Sequence, residues 1–294
     1  MRSFTPRRRG FSLVELLISM VLIGLLGVAI TRLLMTESRL FDIQRARREA
    51  RAVGRSSMNI LFSDLRMVND GASAPGSVLL ASPETLKVRV PYAFGVACGV
   101  GASTVTVSLL PADSSVRYMA SYAGYAWRSR LTNTYTYVPL GVSTNMPVIS
   151  TAPTTCTTTA NIKVDTTNGR SWPIIDLKPA SVAAQPGTPV FIYQEVMYWF
   201  AQSTAYPQAG QMGLYRQATG RAAEELVAPF DASARFKFYV RNADTPTLTP
   251  PATLDSLVGV AIVLNGSSPT KTVTQSPVKT KMETSVFFRN RRVF

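Results

Sequence analysis

Hydrophobic positions change their period along this chain, and each change predicts an element. Residues 11–31, FSLVELLISMVLIGLLGVAIT, are apolar throughout except for one charge, Glu15. Twenty-one helical residues at ~1.5 Å each span roughly 30 Å, the thickness of a bilayer's hydrocarbon core. Beyond them, apolar or small residues recur at Ala46, Ala50, Val53, Ser57, Leu61, Leu65 and Val68, the three-to-four spacing of a helix with one covered face. Arg45, Arg47, Arg48, Arg51 and Arg55 fall between them, partly neutralised by Glu49, and read as a solvated face. Gly54 is a weak point in this helix, and Asn69-Asp70-Gly71 supplies its stop signal. The pattern predicts one helix over roughly 11–68. Its first half, 11–31, spans a membrane, and an exported amphipathic half fills 32–70.

After Gly71 the period shortens. Thr85–Val90, Thr104–Leu110, Val116–Trp127, Thr134–Leu140, Val190–Phe200, Ala234–Val240, Leu257–Leu264 and Thr284–Phe288 are rich in β-branched and aromatic residues. Their alternation predicts half-buried antiparallel strands. The Thr-rich stretch 143–170 and the Pro/Thr-rich stretch 244–256 read as loops. Asn265-Gly266-Ser267 reads as a turn. The expected fold class is α+β: a long N-terminal helix packed on an antiparallel β-sheet head that occupies 71–294.

Composition narrows the function. The chain has 294 residues, 46% of them apolar and 16% charged, and no histidine. Without histidine there is no Ser-His-Asp or Cys-His arrangement and no His-ligated metal. No Rossmann or P-loop signature is present. The expectation is a protein that is not an enzyme and that carries no cofactor and no metal. Glu195, Glu224, Glu225 and Asp231 read as surface carboxylates rather than an acid/base set, and Asp113, Asp165 and Asp176 lack a calcium-loop spacing. Trp127, Trp172 and Trp199 read as core or strand-face residues.

The net charge of +14 gathers at the ends. Residues 1–10 hold Arg2, Arg7, Arg8 and Arg9 and no acid, and 271–294 carries six basic residues against Glu283. A nucleic-acid surface would spread basic and aromatic residues over the folded body, so DNA is not expected as a partner. The basic leader before an apolar run instead predicts a cytoplasmic N-terminus and an exported remainder, although Arg32, Arg39 and Arg45 beyond the span weaken that bias. A cleaved secretory signal, a plain signal anchor and a buried core helix would each leave Glu15 unexplained. A carboxylate in lipid costs up to ~3 kcal/mol on insertion scales.

Gly10 followed by Phe11-Ser12-Leu13-Val14-Glu15-Leu16-Leu17-Ile18 resembles the processing site of type IV prepilins and type II secretion pseudopilins. The resemblance covers roughly the first sixty residues. It implies that a membrane prepilin peptidase cuts between Gly10 and Phe11, releasing the leader 1–10, and that Phe11 is N-methylated. Glu15, the fifth mature residue, would then pair with the free amine of a neighbouring subunit. Burial of that pair is favourable only in the correct axial register, so Glu15 becomes an assembly determinant. The helical arginines would have a second reading there, as partners of acids on adjacent subunits.

Further along, Gly213-Leu214-Tyr215-Arg216, Leu226 to Phe230, Phe236-Lys237-Phe238-Tyr239, Leu257 to Leu264 and Thr284 to Arg291 resemble the PilW-type minor pilins and the J-type minor pseudopilin. Residues 72–200 have no such counterpart. Cys98 and Cys156, the only cysteines, both lie beyond the membrane segment, and in an oxidising compartment they are expected to pair. The whole reading is a minor pilin, anchored in the bacterial inner membrane and assembled into or at the tip of a type IV pilus. Its partners would be the prepilin peptidase, the major pilin and other minor pilins, the inner-membrane assembly platform, and lipid before assembly. The alternatives are a minor pseudopilin of a type II secretion system and, in another class, a signal-anchored periplasmic binding protein or enzyme.

Overall fold

A computed structural model describes residues 12–68, 76–110, 113, 121–129, 131, 134–143, 148–150, 156, 174–181, 184–204, 210–268 and 279–288. The helix α1, Leu13–Leu65, is a single element of 53 residues. Among the described residues thirteen strands follow: β1 Val78–Ala81, β2 Thr85–Val100, β3 Val105–Leu109, β4 Tyr122–Arg128, β5 Tyr135–Ser143, β6 Val148–Ser150, β7 Ile174–Leu177, β8 Pro189–Gln202, β9 Met212–Ala218, β10 Glu224–Phe230, β11 Arg235–Val240, β12 Leu257–Ser267 and β13 Lys279–Phe287. They form one antiparallel sheet in the order β11-β12-β10-β9-β8-β2-β3-β7-β6, with β1 on β2, β13 on β12, and β5 on β4, which itself joins β8. The α+β architecture, a long apolar-to-amphipathic helix on an antiparallel sheet, is as the periodicity predicts.

The long strand β8 organises the sheet. One of its edges pairs with β2 from Thr85↔Trp199 to Val96↔Pro189. The other edge is shared, Val190–Tyr193 pairing with β4 and Val196–Gln202 with β9. Two cores result. Met58, Leu61, Leu65 and Val68 of the helix segment join Tyr198, Phe200, Phe230, Phe236, Phe238, Ile262, Leu264 and Val286 in the larger one. Val105, Val107, Tyr125, Trp127, Ile175 and Ile192 belong to a second, away from the helix. There Tyr125 donates its hydroxyl to the Pro179 carbonyl at 2.7 Å and Trp127 Nε1 donates to Ser181 Oγ at 3.0 Å.

Some sequence expectations need correction. β2 continues ten residues past Val90, through Pro91. The ladder to β8 shifts register between Pro91 and Ala93, and a bulge is where a residue without an N–H is tolerated. Residues 148–150, expected in a loop, form β6 on β7. Asn265-Gly266-Ser267 is not a turn but the end of β12. Gly266 lies where the helix meets that strand, and a Cβ there would collide with the Ala50 carbonyl oxygen. Gly54 also has a packing reason, because a Cβ would sit 2.5 Å from the Met282 sulfur. Two glycines therefore set how closely helix and sheet approach. The expected strand start at Val116, and Trp172, lie outside the described residues.

Candidate functional site: the uncovered half of the helix

The sequence makes the first half of α1 apolar on every side, and the fold leaves it without a protein partner. Every large apolar side chain from Leu13 to Phe41 is more than half exposed. None of the helix's most apolar stretch is buried by the rest of the described chain. This is a helix long and apolar enough to cross a membrane. Covering one such side chain is worth ~1.5–3 kcal/mol, so leaving the whole run in water would cost on the order of tens of kcal/mol. Lipid or neighbouring helices must cover it.

Three hydroxyls within this half are already satisfied. Ser19 Oγ donates to the Leu16 carbonyl at 2.8 Å, and the hydroxyls of Thr31 and Thr36 donate back to the Gly27 and Arg32 carbonyls at 2.8 and 2.9 Å. Such back-bonding removes the cost of carrying hydroxyls into hydrocarbon. Glu15 differs. It is exposed in the first turn, the one acidic residue there, and Ser12 as N-cap makes no side-chain hydrogen bond. A carboxylate at a helix N-terminus is favoured by the unpaired N–H groups and the dipole. Gly10 and Phe11, the expected cleavage and methylation positions, lie outside the described residues.

The second half of α1 is held to the head. Ala46, Ala50, Gly54, Ser57, Met58, Leu61 and Leu65 are buried. Near the helix end a polar cluster adds directionality. Fully buried Tyr198 of β8 donates its hydroxyl to Asp64, and Arg216 of β9 reaches Asp64 Oδ2 with Nη2 at 3.3 Å and the Tyr198 hydroxyl with Nε at 3.3 Å. Burial first, and then the Asp64 charge, push the Tyr198 hydroxyl well above its ordinary pKa, so it remains a donor. Sequence reading missed this cluster, because Asp64 is 134 residues from Tyr198 and no local motif links them. The signal was available only as an acid at the end of the predicted buried stripe.

The carboxylates read as surface groups have structural work within the head. Glu195 pairs with Lys87 at 2.7 Å and lies 3.8 Å from Arg89, whose buried guanidinium stands over the Tyr137 and Tyr193 rings. Glu225 accepts from Tyr215 at 2.6 Å and from Ser203 at 2.8 Å, and Glu224 lies 3.5 Å from Arg216. Asp113 accepts from the Phe94 N–H at 2.8 Å and Asp176 from Thr106 at 2.7 Å, and Asp165 lies outside the described residues. Cys98 and Cys156 are fully buried and joined as a disulfide, their Cα atoms 4.6 Å apart. Ile174, the first residue of β7, shares their cluster. Of the basic C-terminal residues, Lys279 pairs with Asp231 and Lys281 with Glu283. Arg289, Arg291 and Arg292 lie outside the described residues.

The fold thus sets an uncovered apolar half-helix with a carboxylate in its first turn, long and apolar enough to cross a membrane, on a half held to a β-sheet. Residues 5–31 match the family model described as the prokaryotic N-terminal methylation motif. The chain thus carries a type IV prepilin motif on an N-terminal apolar helix, which supports a pilin or pseudopilin processed by prepilin peptidase and is consistent with anchoring in the inner membrane. No curated protein and no solved structure matched the chain.

Proposed function

We propose that this protein is a minor pilin: cut between Gly10 and Phe11, N-methylated on Phe11, held in the inner membrane by α1, and then assembled into or at the tip of a type IV pilus. The observation that carries the reading is the methylation motif over 5–31 lying on a helix whose apolar half the head leaves uncovered. The role is structural rather than catalytic. A head with thirteen strands among its described residues is bulky for a tightly repeated shaft, and steric room favours a tip or priming position. Glu15 acts as the register determinant, pairing with the amine of a neighbouring subunit. N-terminal sequencing and intact mass of protein from the native host test the reading. The expected mature chain begins at N-methyl-Phe11, and a mature chain beginning near Ile30 would sink it. Co-isolation of the processed chain with sheared pili, rather than with a secretion complex, is the expected second result.

A further inference from the structure

The outer half of α1 turns one face to the head and the opposite face to solvent. Ala46, Ala50, Ser57, Leu61 and Leu65 mark the inward face. At ~100° per residue, Arg48, Arg55 and Arg66 fall on the side turned away from the head, and Arg51 falls on the flank beside buried Met58; all four are exposed. Arg66 stands over the Phe62 ring at 5.1 Å. Arg48, Arg51 and Arg55 have no carboxylate within ion-pair distance among the described residues, because Glu49 on the flank pairs with Arg45 at 3.0 Å. Three guanidiniums within about two turns repel one another, and nothing in the head repays that.

We propose that this arginine line is the docking surface for an acidic helical face on a different prepilin. The proposal rests on the functional reading above for the class of its partner. Whatever subunits cover the apolar half of α1 bring their own helices alongside the same rod, so a helix is the object presented to Arg48, Arg51 and Arg55. Carboxylates at i, i+3 and i+7 of that helix match the arginine spacing and allow bidentate pairing. A second copy of this chain fits poorly. Along the same line it offers Glu37, eleven residues upstream, one carboxylate against three arginines, and parallel copies in register oppose like charges. The line therefore favours a heterologous neighbour and disfavours self-stacking. Lipid headgroups fit less well too. Arg48 is thirteen residues beyond Met35, roughly 20 Å along the helix.

The test uses full-length processed chain in mild detergent and fluorescent Ala-rich helices carrying glutamate, or lysine, at i, i+3 and i+7. Wild type is expected to bind the glutamate helix roughly tenfold tighter than the lysine helix at low salt, with the difference shrinking as salt rises. R48E/R51E/R55E, three exposed changes that leave head melting unaltered, should invert the preference. Equal binding of both probes, or an unchanged preference in the variant, overturns the proposal. So does tighter binding to duplex DNA or to anionic vesicles, or self-association that the variant abolishes. Mass spectrometry of Phe11 in the same samples separates the two ideas. A methylated chain that fails the binding test overturns only this inference, whereas an unmethylated one overturns the functional reading.

Discussion

At Asp231 a single side chain ties the turn after β10 to β13. It follows β10, its Oδ1 accepts from the Ser233 N–H at 3.0 Å and the Ser233 hydroxyl at 2.5 Å, and its other oxygen pairs with Lys279 of β13. The Lys279 ammonium foremost, and then Ser233, lower its carboxyl from 3.8 to about 2. The charged form is thus favoured in the folded state. Its contribution to stability is fully present above about pH 4 and is lost as pH falls toward 2. Melting temperatures measured from pH 5 to 2 should therefore fall less steeply for Asp231→Asn than for wild type. Parallel curves would mean that Lys279 and Ser233 do not hold this carboxylate. Nothing in the sequence marked Asp231 for that role, because its partner is 48 positions away on the last described strand. Glu15, by contrast, stands out at once as the lone charge in an apolar run, and its role in assembly is part of the proposal.

Among the elements, α1 was legible because its period survives tertiary packing, and the expected buried positions Ala46, Ala50, Ser57, Leu61 and Leu65 are buried. Val53 is only half-buried, and Gly54 takes a place on the inward face. The strands β9 and β10 were recognisable only as family-like segments. β10, Glu-Glu-Leu-Val-Ala-Pro-Phe, is half-buried along most of its length and shows no alternation to read. Its ladder to β9 shifts register twice. The close approach of helix and sheet was invisible from sequence, because Gly266 resembles any turn glycine until Ala50 stands against it. Gly266→Val should push α1 off β12, at a cost of roughly 1–3 kcal/mol for overpacking, read as a lower denaturation midpoint. Gly54→Ala should cost less, since it meets only the movable Met282 side chain. The disulfide was expected from cysteine count and compartment. It closes a separation of 58 residues, so Cys98→Ala with Cys156→Ala should destabilise the head by up to ~4 kcal/mol on the chain-entropy account. Reductant should then leave the variant's midpoint unchanged while lowering that of wild type.

For the whole molecule, the division of α1 separates stability from assembly. The head's core begins at Ala46, and Glu15 lies 31 positions before it, roughly 45 Å along the rod. Among the described residues no contact links the two ends, so a change at Glu15 is not expected to act through the head's packing. It is expected to act through what covers the apolar half. In lipid, Glu15→Ala removes a carboxylate costing up to ~3 kcal/mol and should make the anchored monomer slightly more comfortable. In the proposed filament the same change would leave the neighbour's amine without its partner, and an uncompensated buried charge costs about 3–5 kcal/mol. The two effects oppose assembly together: one lowers the starting state and the other raises the product. Glu15→Ala should therefore keep the melting temperature of the head and its membrane level, while its co-purification with partner prepilins falls by ten-fold or more, since each ~1.4 kcal/mol is a factor of ten. Glu15→Gln, similar in size but uncharged, should behave like Glu15→Ala if charge pairing is what matters. Equal recovery of wild type and both variants with partner subunits would show that register is set elsewhere, and the arginine line on the outer helix would be the next place to look.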